Sequence, residues 1–143
     1  MSFRIHKQLL SDAHYLGKLS VCHLLLHKNS LLPWFILVPE ITENDLLDVP
    51  VGERESIMNE CAEISTWIKL HFNLSKINFA AIGNIVPQLH LHVVGRHETD
   101  ICWPKPVWGN LENSSNYTIG EIESIKQQLI SYYELEPGDD PGC

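Results

Sequence analysis

The sequence predicts an α+β fold built on an antiparallel sheet with a long central helix and a C-terminal helix. Three observations point there: short apolar strand-like segments recur along the chain, only two stretches carry helical periodicity over any length, and the links between them are brief. Residues 20–27, Ser-Val-Cys-His-Leu-Leu-Leu-His, read as a strand. Lys28-Asn29-Ser30 forms a turn cluster, and residues 34–38, Trp-Phe-Ile-Leu-Val, follow as a second strand ended by Pro39. The two together read as an antiparallel hairpin.

Thr42 is placed to cap a short helix running through Leu47. A long helix is expected from Gly52 to Phe72, because Ile57, Cys61, Ile64 and Trp67 or Ile68 recur at helical spacing while Glu53, Glu55, Glu60 and Glu63 fall mostly outside that stripe. Ile77 to Ile82 reads as a third strand and Gln88 to Gly95 as a fourth. Pro87 marks its start, since proline cannot donate to a sheet ladder. Thr118-Ile119-Gly120-Glu121 has the form of a capping box opening a helix to Tyr133. Ile122, Ile125, Leu129 and Tyr132 or Tyr133 give that helix one apolar face.

A chain of 143 residues suits one domain, expected over residues 1–133. Residues 134–143, with two prolines, two glycines and four acidic residues, read as a mobile acidic tail. No apolar run approaches the roughly 18 residues of a membrane span. The N-terminus, Met1 to His6, lacks a signal-peptide pattern, so a cytoplasmic location and no membrane partner are expected. Cys22, Cys61, Cys102 and Cys143 form no Cys-x-x-Cys pair, which argues against a zinc knuckle and fits free thiols, with Cys61 in the core and Cys143 on the tail. The net charge of −8, with no run among ten basic residues, argues against a nucleic-acid partner.

The chemistry-bearing segment is Gln88-Leu89-His90-Leu91-His92-Val93-Val94. On a strand, Gln88, His90 and His92 share one face and Leu89, Leu91 and Val93 the other, with the two histidines about 6.5–7 Å apart along the chain. Three readings fit a strand His-x-His. It can be solvated or hydrogen-bonded packing. It can supply two metal ligands, with His97, Cys102 or His71 loosely placed as a third. Or a neutral imidazole attacks phosphorus while the second histidine donates to a phosphate oxygen or the leaving group.

Residues 83–96, Gly-Asn-Ile-Val-Pro-Gln-Leu-His-Leu-His-Val-Val-Gly-Arg, resemble the signature His-φ-His-φ-His-φ-φ (φ apolar) of the histidine triad superfamily. Residues 33–39, Pro-Trp-Phe-Ile-Leu-Val-Pro, resemble its earlier hairpin strand. The Trp-Pro-Lys-Pro-Val-Trp-Gly stretch at 103–109 is similar to a bacterial branch, here with glutamine at the first triad position. The resemblance, over residues 15–97, implies a sheet of about five strands, a homodimer, and hydrolysis or transfer of nucleotidyl groups without a cofactor or metal. It implies His90 as the nucleophile forming a covalent nucleotidyl-histidine, His92 at the phosphate and leaving-group oxygens, and Asn84 at the α-phosphate.

Three positions depart from the pattern. Gln88 replaces the first triad histidine, Trp34 an upstream histidine, and Ile85 a common serine or threonine. The family positions of Gln88 and Trp34 lie near each other behind the nucleophile, so the two read as one exchanged pair, a neutral support in which Gln88 can also meet phosphate. Arg96 is expected to meet phosphate or an acidic partner, or to serve structurally. Trp103 and Trp108 read as a cover for the site mouth, a dimer contact or loop packing. Phe3, Leu24, Leu26 or Phe35 are candidates for a base pocket, and His6, His14, His23, His27 and His71 carry no assigned role. The reading is a nucleotide hydrolase acting on a phosphoramidate, acyl phosphate or dinucleoside polyphosphate. The alternatives are a nucleotide-binding protein without turnover and a metal site.

Overall fold

The computed structural model describes residues 2–142. It contains one five-stranded antiparallel sheet in the order β1-β2-β3-β5-β4. The strands are β1 (Ala13–Lys18), β2 (Cys22–His27), β3 (Trp34–Pro39), β4 (Lys76–Ala80) and β5 (Leu91–Arg96). The helices are α1 (Lys7–Asp12), α2 (Val51–Phe72) and α3 (Ile119–Tyr133). The α+β class and the β2–β3 hairpin are as the sequence predicts.

Cross-strand partners lie on one face of a sheet, so the register divides the residues cleanly. Leu24, Leu26, Phe35, Leu37, Leu91 and Val93 face α2 and α3, where Ile57, Cys61, Ile64, Trp67, Ile68, Ile125 and Leu129 close the larger core. Each fully buried leucine or valine there contributes about 1.5–3 kcal/mol. The opposite face carries Leu25, Trp34, Ile36, Val38 and Val94, covered by Ile5, Leu9 and the 102–111 segment. Phe3 stacks on His23 with ring centroids 5.3 Å apart. Leu24, Leu26 and Phe35 are therefore core residues under the helices, and none of the four base-pocket candidates reaches the site.

Two N-terminal elements were not legible in the sequence. Helix α1 has six residues, too few for periodicity, and its cap is His6, whose Nδ1 accepts from the Gln8 N–H at 3.0 Å. Strand β1 carries a bulge between Tyr15 and Gly17, which breaks the two-residue alternation. Gly17 has φ +146, and a Cβ there would lie 2.5 Å from the Glu136 carbonyl oxygen, so only glycine fits.

Helix α2 starts one residue earlier than expected, after Pro50, and ends on Asn73 in the left-handed conformation. Glu60, expected outside its apolar stripe, is buried. Its carboxylate accepts from the backbone N–H groups of Val21 and Cys22, both at 2.9 Å, and so closes the β1–β2 turn. In place of a helix capped by Thr42 there is a single 3-10 turn, Leu46–Asp48, with Asp45 at its N-cap. The capping box of α3 forms as predicted: Thr118 Oγ1 accepts from the Glu121 N–H and Glu121 from the Thr118 N–H.

The acidic segment after α3 turns back over the sheet. Leu135 is buried, Glu136 bridges Lys18, and the Pro141 carbonyl accepts from the Ile5 N–H at 2.7 Å. Cys143 lies outside the described residues. Among them, no helix is long and apolar enough to cross a membrane.

Candidate active site

Strand β5 begins at Leu91, three residues later than expected. Gln88, Leu89 and His90 form the approach to it, and Leu89, Leu91 and Val93 do enter the helix-side core. The loop before it turns at Gly83, where φ is +66, a conformation that favours glycine. That turn lays residues 82–86 along the rim of a cavity of about 450 Å³. His90 and His92 lie on its floor, both 7% exposed, with ring centroids 4.9 Å apart. The two rings therefore stand side by side in one cavity, although only His92 is in the strand proper.

Each ring is held through its Nδ1. For His90 the partner is the Gln88 carbonyl at 2.8 Å. A carbonyl only accepts, so Nδ1 carries the proton, and in the neutral ring Nε2 keeps its lone pair. For His92 the partner is the indole Nε1–H of Trp34, at 3.0 Å. Burial, with His90 and His27 as nearby like charges, pushes the His92 pKa down to about 3. Trp34 is itself clamped: it stacks on His27 with centroids 4.0 Å apart and planes 9° from parallel, and meets the edge of Trp108 at 5.9 Å.

Of the other expected residues, Asn84 lies on the cavity rim with an exposed side chain, beside Ile85, which is 92% exposed. Gln88 is turned elsewhere. Its Oε1 accepts from the His6 N–H and its Nε2 donates to the Arg4 carbonyl, each at 2.8 Å, so the amide pairs with the N-terminal segment like a rung of a sheet. Gln88 and Trp34 thus have separate partners: the first binds the N-terminal arm and the second binds His92. Arg96 also lies away from the cavity. It is 1% exposed and forms a two-pronged ion pair with Asp100, Nε to Oδ2 at 2.8 Å and Nη2 to Oδ1 at 3.1 Å. The reading that it meets an acidic partner describes this geometry, and the phosphate reading does not.

The third ligand of a metal site is not supplied either. His97 is exposed beside Thr99, Cys102 faces Arg96, and His71 stacks on Trp67. Among the described residues, no three His, Cys, Asp or Glu side chains are grouped to hold a metal ion.

The cavity has a second wall that the sequence does not mark. Gln8, Leu9 and Asp12 of α1 line it, as does His27, whose Nδ1 accepts from the Asn29 N–H at 3.1 Å. Burial pushes the His27 pKa down, with Asp12 opposing. No local signal marks these residues, because they reach the site only through the fold. Trp108 does line the cavity, whereas Trp103 lies over the Arg96 guanidinium, 5.5 Å from the ring centre.

The chain matches the HIT domain over residues 8–99. No curated protein matches it. Among solved structures it is similar to a histidine triad protein from Marinobacter aquaeolei VT8, with 35% identity over 94% of this chain and 98% of that one, at a TM-score of 0.85. Histidine triad proteins from Bradyrhizobium japonicum and Sinorhizobium meliloti 1021 are each 29% identical, also at 0.85. They cover 93% and 91% of this chain, and 99% and 96% of their own.

Proposed function

The chain belongs to the HIT domain family, and we propose that it is a nucleotide hydrolase that works through a covalent nucleotidyl-His90 intermediate. The observation that carries this reading is the pairing of His90 and His92 on the cavity floor, with Nδ1 of His90 tied to the Gln88 carbonyl. That bond leaves the Nε2 lone pair as the reactive atom and holds the ring in the tautomer a nucleophile needs.

In the first step Nε2 of His90 attacks the α-phosphorus and the bond to the leaving group breaks. His92 meets a phosphate or leaving-group oxygen, and Asn84 on the rim receives the α-phosphate. In the second step water attacks phosphorus, the N–P bond breaks, and the electron pair returns to Nε2. Leu9, Ile36, Ile85 and Trp108 offer an apolar wall of the kind that takes a nucleoside base. The protein acts as a cytoplasmic homodimer in this reading. The exposed apolar side chains of Leu47, Phe79 and Ile82, which line one hollow beside the edge strand β4, suit a second copy.

The test is incubation with an adenosine phosphoramidate, an acyl adenylate and a diadenosine polyphosphate, quenched in alkali and read by mass spectrometry. An AMP-sized adduct on His90 with turnover of at least one compound is expected. Equal rates for wild type and His90→Ala would sink the reading. Nucleotide binding without turnover is favoured by one feature, the absence of any hydroxyl side chain along residues 82–86 of the rim. Calorimetric binding of AMP with no adduct would select it.

A further inference from the structure

We propose that Trp34 is a positioning residue that fixes His92 as a hydrogen-bond donor with no proton to give away, so that the site cleaves nucleotidyl bonds whose leaving group departs as a carboxylate. The inference rests on the hydrolase reading above and names its substrate class: a nucleoside 5′-phosphate joined to a carboxylic acid as a mixed anhydride.

An indole N–H can only donate, so Nδ1 of His92 must accept and cannot carry a proton while the bond stands. The ring is then neutral with its single proton on Nε2, the nitrogen left for the cavity that His92 lines. Such a ring can donate to a phosphate or leaving-group oxygen. To act as a general acid it would have to be doubly protonated first, which requires breaking the bond to Trp34.

The surroundings resist that change. Trp34 is stacked on His27, and Trp108 packs nearly perpendicular to both Trp34 and His92, the latter at 5.1 Å, so aromatic contacts hold both rings. The titratable groups around His92 are His90 on the same segment, His27 on β2 and Asp12 on α1. Both histidines disfavour a charge on it, as does burial, while the Asp12 carboxylate acts on His27.

A leaving group must therefore depart without a proton from His92. An amine nitrogen must gain a proton as the P–N bond breaks. A carboxylate need not, since its conjugate acid has a pKa of about 4. A polyphosphate leaves as an anion too, but it brings several negative charges into a cavity whose lining holds the Asp12 carboxylate and no lysine or arginine. A carboxylate brings one.

The balance is complete with water as the only co-reactant. Nε2 of His90 forms the N–P bond and the acyl P–O bond breaks, its electron pair leaving on the carboxylate oxygen. The charge gained by the His90 ring is shared through Nδ1–H with the Gln88 carbonyl. Water then attacks phosphorus, the N–P bond breaks back to Nε2, and one proton goes to solvent with the nucleoside monophosphate.

Two measurements test this. In the first, wild type cleaves acetyl adenylate and adenosine 5′-phosphoramidate side by side. The anhydride is expected to be favoured in kcat/KM by about 10²–10⁴-fold, the size of a missing general acid. Trp34→His, whose imidazole can pass a proton to Nδ1, should narrow that ratio by raising the phosphoramidate rate. Comparable wild-type rates on both compounds overturn the inference and leave the hydrolase reading standing. No turnover and no His90 adduct with either compound overturns both.

The second is the ¹⁵N spectrum of the His92 ring, which needs no substrate. Nε2 should remain the protonated nitrogen from pH 5 to 9 in wild type, and the fixed tautomer should be lost in Trp34→Phe, which keeps an aromatic body without the donor. Titration of wild-type His92 near neutrality overturns the inference, even if Trp34→Phe fails to fold.

Discussion

His92 and Arg96 lie four residues apart on β5, share one face of the sheet and are both buried, yet they use their polar atoms in opposite ways. Arg96 is saturated. Its Nε and Nη2 donate to Asp100 and its Nη1 to Asn78 Oδ1 at 2.7 Å, with Trp103 over the guanidinium. His92 spends one nitrogen on Trp34 and leaves the other to a cavity. The difference separates two reasons for burying a polar group. A charge whose donors are matched within the fold ties loops to the sheet, whereas a group held on one side only is set for a ligand.

The strongest break in that comparison is at His90, the cavity-facing partner of His92. His90→Ala should lower turnover of the best substrate by about 10³-fold or more, because the covalent route goes with the nucleophile. Steady-state kinetics with a thermal melt separate this from unfolding. At the saturated end, Asp100→Asn should cost about 3–5 kcal/mol in urea unfolding, since it strands a buried guanidinium. A loss below 1 kcal/mol would mean that the ion pair is not structural.

The two ends should also answer pH differently. Burial alone would raise the Asp100 carboxyl, but hydrogen bonds from Arg96 and from the N–H groups of His97 and Cys102 hold it at about 2. Its contribution is therefore present above its ordinary value of 3.8 and is lost as pH falls from there towards 2. For His92, held near 3 against an ordinary 6.5, the unfolded chain binds the extra proton across that window. Stability should fall as pH drops below 6.5, by at most about 1.4 kcal/mol per pH unit. His92→Gln should flatten the pH 4–6.5 part of the denaturation profile and leave the part below 4 in place. The smallest effect is expected at Gln88→Ala, about 1–2 kcal/mol for two hydrogen bonds, one half-buried and one exposed. Faster hydrogen exchange at the His6 amide would report the loosened arm.

Much of the fold was legible because its signals are local. The apolar run of β3, the helical spacing of α2 and the Thr118–Glu121 capping box each lie within one element. The short α1, the bulged β1 and the buried Glu60 were not legible, since a six-residue helix has no periodicity, a bulge breaks alternation, and a carboxylate inside needs its two N–H donors known first. At the site, the His90–His92 pairing followed from spacing alone. The partners of Gln88, Trp34 and Arg96 did not.

The strand at the site thus divides what each level determined. By itself the sequence placed two histidines two positions apart on one face, because neighbours in a chain stay neighbours in any extended segment. Only the tertiary structure decided their protonation and surroundings. The Trp34 indole from β3, His27 from β2 and Asp12 from α1 come from separate stretches of chain, and their distances exist only once the sheet has closed.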